Sequence, residues 1–295
     1  MRLFLACLLF VALSSPAMAQ NPPIPPEVLA AARRPVVMTL PGMDQAQVTK
    51  DIRYAPSAPA HIAMDVYRPP GLKAGDRRPA VIFIHGGGPP GAPMKEMGVY
   101  TSYGRLIAAQ GLVAVTFTHQ LGYPKTLIRE GAADVAAAVA YVRAHAAELN
   151  VDPDRLCLAA YSAGGPMLSP YLADAPAYVR CIVAYYPIME IEDSAVHKAA
   201  ETPETLAAFS PLRQLAKPGR KAPLYVARAG KDEIPQLLAG LDRFIAEAVK
   251  RDYPMTLANN PGAPHGFDIT GATPRTLEIL EETFAFVRRH LAPSR

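Results

Sequence analysis

The chain is poor in several things, and each shortage removes a class of function. Three cysteines in 295 residues are too few for a disulfide-stapled scaffold. No H-E-x-x-H or comparable ligand spacing marks a metal site. Net charge is only +4, and the basic residues are scattered in short pairs such as Arg33-Arg34, Arg77-Arg78 and Arg288-Arg289. A nucleic-acid binder concentrates Lys and Arg in a stripe, and none is present. Long apolar runs are missing after the first nineteen residues, so stable membrane insertion is not expected. No internal repeat is visible.

The exception at the N-terminus has its own reading. Arg2 is a positive start, Leu3 to Leu13 is an apolar run too short to span a bilayer, and Ala17-Met18-Ala19 is a small-x-small site. A buried N-terminal helix is the alternative. The order of the three blocks favours a signal peptide cut between Ala19 and Gln20, and therefore a secreted or periplasmic protein. Cys7 would leave with it, while Cys157 and Cys181 lie in expected strands and read as free, apolar fillers.

Half the residues belong to the hydrophobic set and 19% are charged, a globular composition. Residues 20–45 are proline-rich and read as a lead-in, leaving 46–295 as the folded domain. Gln47–Tyr54 and His61–Arg68 alternate as an antiparallel hairpin at a sheet edge. Ala80–Ile84, Leu112–Phe117, Arg155–Ala160, Cys181–Tyr186, Pro223–Ala227 and Met255–Ala258 are apolar runs of the kind that a sheet covered on both faces demands. Between them, Ile128, Ala132, Val135, Val139 and Val142 share a helical face, as do Leu238, Leu241, Ile245 and Val249. Thr273 caps a final helix with Pro274 first in it and Leu277, Leu280, Phe284, Val287 and Leu291 inside. This alternation implies an α/β, doubly wound, mostly parallel sheet of about eight strands. Residues 188–220 show no clear element and read as a small lid or an ordered loop.

Four short segments carry chemistry. Ala160-Tyr161-Ser162-Ala163-Gly164-Gly165 follows a strand with small residues on both sides of the serine, as a nucleophile elbow requires. The plainer reading is a serine that caps the helix after it. Ile84-His85-Gly86-Gly87-Gly88 ends another strand with glycines whose N–H groups can turn inward toward a developing oxyanion. The letters G-x-G-x-x-G over Gly86–Gly91 also fit a dinucleotide loop, but Pro89 and Pro90 sit where a helix should open and no acid ends the next strand. His85 itself reads as a loop-fixing residue.

Asp232 and Glu233 follow the strand ending at Ala227, and either could orient a histidine; Asp232 is closer to the strand, and Glu233 suits the start of the helix beyond Pro235. His265, in Pro264-His265-Gly266-Phe267-Asp268, is the one histidine of seven between the last strand and the last helix. His119 ends a strand near the same edge. The order glycine loop, serine, acid, histidine, each after a separate strand, is the order of one hydrolase fold and of neither major serine-protease fold.

At these residues the sequence resembles the α/β-hydrolase superfamily, and within it bacterial carboxylesterases and acetyl- or feruloyl-esterase-like enzymes with an HGGG oxyanion loop. The resemblance runs from about Asp51 to the C-terminus and includes Met64-Asp65-Val66-Tyr67-Arg68-Pro69 and Ala208-Phe209-Ser210-Pro211-Leu212. It implies an α/β-hydrolase fold with a short or absent cap. It also implies Ser162 as nucleophile, Asp232 as acid, His265 as base, and the backbone N–H groups of Gly87, Gly88 and Ala163 as oxyanion donors. The elbow here is Ala-Tyr-Ser-Ala-Gly, where the hormone-sensitive-lipase branch has Gly-Asp-Ser-Ala-Gly. The expected activity is cleavage of a small-molecule or polysaccharide-linked carboxylic ester, with short acyl chains and no cofactor. Met94, Met97, Tyr100, Tyr161, Tyr186 and Met189 are pocket candidates, each equally at home in a core. The same machinery would serve a serine peptidase or an amide- or lactone-cleaving enzyme, and a silent binding protein can keep such a fold.

Overall fold

The computed structural model describes residues 32–293 apart from 56–57, 74, 89–91 and 123–125. The expected signal segment 1–19 and residues 20–31 of the proline-rich lead-in lie outside the described residues, while the rest of the lead-in lies against the domain with Val36 and Met38 buried. Eight strands form one sheet: β1 (Gln47–Ile52), β2 (Met64–Arg68), β3 (Arg78–Ile84), β4 (Val113–Phe117), β5 (Val151–Tyr161), β6 (Val179–Tyr185), β7 (Leu224–Ala229) and β8 (Met255–Asn260). Their spatial order is β1-β2-β4-β3-β5-β6-β7-β8. β2 runs antiparallel to both β1 and β4, and every other pair is parallel.

The apolar strands are explained by what covers them. Ile82, Leu158, Ile182 and Val226 face one side of the sheet, against Ile128, Val135, Val139 and Val142 of the Ile128–Ala144 helix and Leu241, Phe244 and Ala248 of the Pro235–Lys250 helix. Phe83, Ala159, Val183 and Tyr225 face the other, against Tyr103, Leu106 and Ile107 of the Gly98–Ala109 helix and Ile279, Leu280, Phe284 and Val287 of the Pro274–Leu291 helix. With both faces buried, period-two alternation vanishes from the middle strands. The outer strands keep it in part: β1 and β8 are largely exposed.

Two sequence expectations shift. The Pro235–Lys250 helix is rotated from its expected stripe: Val249 is 65% exposed, and Leu237, Phe244 and Ala248 pack inward beside Leu241. Residues 188–220 are not featureless. They hold three short helices, Ala195–Ala200, Pro203–Phe209 and Pro211–Gln214. Ser194 and Thr202 cap the first two by accepting backbone N–H bonds. The Gly98–Ala109 helix had no clear stripe to announce it, because Gly98 and Gly104 are built for contact. A Cβ on Gly104 would run 2.6 Å from the Tyr67 ring of β2. The final helix matches its signal, with the Thr273 side chain accepting from the Thr276 amide ahead of Pro274. Cys157 and Cys181 face each other across β5 and β6 and are free.

Candidate active site

The strands that matter end together. Ile84 of β3 pairs with Ala160 of β5, Tyr161 with Tyr185 of β6, and Ala229 of β7 with Asn260 of β8. The residues that follow these strand ends therefore emerge on one rim of the sheet, where ligands meet open α/β folds.

Ser162 is the first of them. Its φ is 50°, in the left-handed region that costs a non-glycine residue about 1–3 kcal/mol. The strain is held by neighbours that accept close approach. A Cβ on Gly164 would lie 2.7 Å from the His85 carbonyl, and the Ser162 carbonyl takes the Ile188 amide at 2.8 Å. Ser162 does not act as a side-chain cap for the 3-10 stretch Ser162–Leu168 that it opens. Its hydroxyl instead lies 3.0 Å from Nε2 of His265.

The imidazole is set by the loops after β7 and β8, which are laced together. Gly230 donates to the Asn260 carbonyl and Lys231 to that of Ala263. That lacing brings His265 Nδ1 to 2.6 Å from Asp232 Oδ2. An ionised carboxylate can only accept, so Nδ1 carries the proton and Nε2 is left to receive one from the serine. The Asp232 carboxylate is fully buried, with Oδ1 taking the Ile234 amide at 3.0 Å, while a quarter of the imidazole is exposed. Glu233 neither caps the Pro235–Lys250 helix nor meets the ring. Its Oε2 accepts the His265 backbone amide at 3.3 Å.

The glycine loop after β3 crosses close to the serine. A Cβ on Gly86 would sit 3.1 Å from Ser162 Cβ. The Gly86 amide is already committed to the Tyr100 hydroxyl at 2.8 Å; Gly87 and Gly88 follow it in the loop. Gly87 lies beside Ala163, whose amide sits in the first turn of its helical stretch and has no intrahelical partner. Met94 packs against Gly88.

Two histidines brace this loop. His85 Nδ1 donates to the Gly86 carbonyl at 2.6 Å, and its Nε2 accepts the His119 amide at 3.0 Å. The two rings stack face to face with centroids 3.5 Å apart. Burial pushes His85 down to about 4, and burial together with His85 holds His119 well below the usual histidine range. Both are neutral props. Lys95, next to Met94, is also buried and reaches Asp51 and Asp65, each at 2.8 Å. Burial alone would lower its ammonium, but these carboxylates outweigh burial and raise it. Sequence reasoning missed Lys95, because its partners lie on β1 and β2 and no local spacing joins them.

Of the pocket candidates, Met189 is fully buried in the core, and Met94, Tyr100, Tyr161 and Tyr186 are nearly so. A groove of about 480 Å³, lined by Pro170, Ala207, Ala208, Phe209, Arg213, Gln214 and Lys217, lies in the short-helix segment and contains none of the site residues.

A family model described as BD-FAE matches residues 64–208, from β2 through the first two short helices. Esterase LipQ of Mycobacterium tuberculosis is 25% identical over 87% of this chain and 67% of its own length. Among solved structures, Thermogutta terrifontis esterase 2 phosphoramylated by tabun superposes with a TM-score of 0.66 at 23% identity, covering 86% of this chain and 98% of that one. Esterase B from Lactobacillus rhamnosis, inhibited by a tributyrin phosphonate, superposes with a TM-score of 0.69 at 17% identity over 89% of each chain.

The chain has the α/β-hydrolase fold. The eight-stranded sheet has the fold of those esterase structures, and three short helices stand between β6 and β7. That segment is fastened to the body: Glu201 accepts from the Ile128 amide at 3.2 Å, and Arg129 donates to Thr205 at 2.8 Å. Among the described residues of this chain, no helix is long and apolar enough to cross a membrane.

Proposed function

We propose that this chain is an exported carboxylesterase that cleaves esters of short acyl chains through an acyl-serine at position 162. The observation that carries the reading is the unbroken hydrogen-bond line from Asp232 through His265 to Ser162, 2.6 Å and then 3.0 Å long. His265 Nε2 takes the hydroxyl proton as Ser162 Oγ attacks the ester carbonyl. Asp232 keeps the other ring nitrogen protonated and steadies the imidazolium. The carbonyl oxygen gathers negative charge beside the amides of Gly87, Gly88 and Ala163, where losing one donor costs about 3 kcal/mol of barrier. The imidazolium gives its proton to the leaving alcohol. Water, activated by the same imidazole, then releases the acid from the serine. The short-chain reading is supported by crowding at the glycine loop, where Met94 already fills the space beside Gly88.

The test is hydrolysis of a graded series of acyl esters by residues 20–295, together with labelling of Ser162 by a fluorophosphonate. Ser162→Ala is expected to lower turnover about a million-fold and to abolish labelling. A variant with near-normal turnover would reject the assignment. Peptide and lactone substrates in parallel would reveal an amide- or lactone-cleaving preference, and a folded protein that neither labels nor turns over would be a binding protein.

A further inference from the structure

Three residues past the imidazole lies a second buried carboxylate that the reaction above does not use. Asp268 sits in the short Phe267–Thr270 helix with no exposed surface. Its Oδ1 accepts the Tyr186 hydroxyl at 2.7 Å and its Oδ2 the Tyr103 hydroxyl at 2.9 Å. Burial raises the Asp268 carboxyl, while these two hydroxyls and His265 act in the opposite direction. Burial also holds both tyrosines well above the ordinary phenol range, so each keeps the proton it donates. Tyr100, Tyr161 and Tyr185 complete the surroundings, all neutral for the same reason.

Tyr186 is held for a purpose beyond filling space. Its φ of 36° is rare for an aromatic residue, and its amide is fixed on the Ala227 carbonyl at 2.7 Å. This geometry puts its ring centroid 4.5 Å from that of His265, tilted by 57°. The groups facing His265 are thus the Asp232 carboxylate, the Glu233 carboxylate at its amide, the Ser162 hydroxyl and the Tyr186 ring.

The geometry points to Asp268 as a positioning residue that acts on His265 through Tyr186, steadying the imidazolium formed when Ser162 loses its proton. The inference rests on the roles proposed above for Ser162 and His265. A phenol that donates to an anion gains electron density in its ring. A cation within about 6 Å of such a ring is attracted to it. The serine proton goes to Nε2 and from there to the leaving alcohol, never into the Tyr186–Asp268 pair. Asp268 keeps its charge and the tyrosines keep their protons, so the assembly changes how readily the imidazole holds a proton without itself transferring one.

The decisive measurement is kcat/KM against pH for a short acyl ester, on residues 20–295 as wild type, Tyr186→Phe and Asp268→Asn. Active sites are counted in each by phosphonate labelling of Ser162. Both variants are expected to lose about three- to tenfold in kcat per labelled site with little change in KM. In both, the acidic limb is expected to move to lower pH by about half a unit, because the protonated imidazole has lost support. The double variant should be no worse than the poorer single one. A purely packing role would reduce the number of sites or alter KM and leave the limb in place. An unmoved limb in Tyr186→Phe, with its sites intact, overturns the inference even if Asp268→Asn fails to fold. A wild-type enzyme inert to every ester and unlabelled at Ser162 would overturn the underlying reading, and this inference with it.

Discussion

Asp232 and Glu233 are adjacent carboxylates of which the sequence resemblance favours Asp232, and only Asp232 reaches the ring. Asp232 is turned inward by the β7–β8 loop lacing and meets Nδ1, whereas Glu233 reaches a backbone amide on the exposed side. Asp232→Asn is therefore expected to cost about four orders of magnitude in kcat by favouring the wrong imidazole tautomer. Glu233→Gln should cost about tenfold or less, the worth of one exposed hydrogen bond. Steady-state kinetics of the two variants decides this, and the reverse ranking would move the acid's role to Glu233.

Among elements, the loop after β3 depends on partners from far along the chain. His119, after β4, stacks on His85, after β3, and the pair holds the glycines in place. Unfolded imidazoles take up a proton near pH 6.5. In the folded chain, burial delays His85 until about 4 and holds His119 well below the usual histidine range. A folded value below the unfolded one means stability that is complete above about pH 6.5 and is lost as pH falls toward about 4, up to about 3 kcal/mol from His85 alone. Thermal unfolding followed across that interval should show a flat midpoint above pH 6.5 and a falling one below. A midpoint that stays constant down to pH 4.5 would mean that the pair protonates freely. Lys95 anchors the next stretch, tying Met94–Glu96 to β1 and β2. Its ion pair with the fully buried Asp65 carboxylate cannot be broken cheaply, because a lone buried charge would remain.

On the scale of the whole molecule, two faces of one sheet are covered by two long helices each, and the candidate site collects on the rim left open. Export belongs to this scale as well, since it concerns which chain folds. With Arg2, the apolar run and Ala17-Met18-Ala19 read as a signal, the exported protein is expected to begin at Gln20. N-terminal sequencing of protein recovered outside the cytoplasm checks this, and an intact Met1 start would refute it.

Local order in the chain was enough to determine the α/β class, the strand sequence, the Thr273 cap and the four segments that meet on the rim of the sheet. Each of these rests on neighbours a few residues apart, where turn geometry and apolar runs leave direct marks. Contacts between distant segments left no such mark. The contact of Asp232 with His265, the commitment of the Gly86 amide to Tyr100, the stacking of His119 on His85, the burial of Lys95 and the alignment of Asp268 and Tyr186 behind His265 all join separate strands or helices. Only packing decides these, because it sets which side chains lose water together and must then satisfy one another.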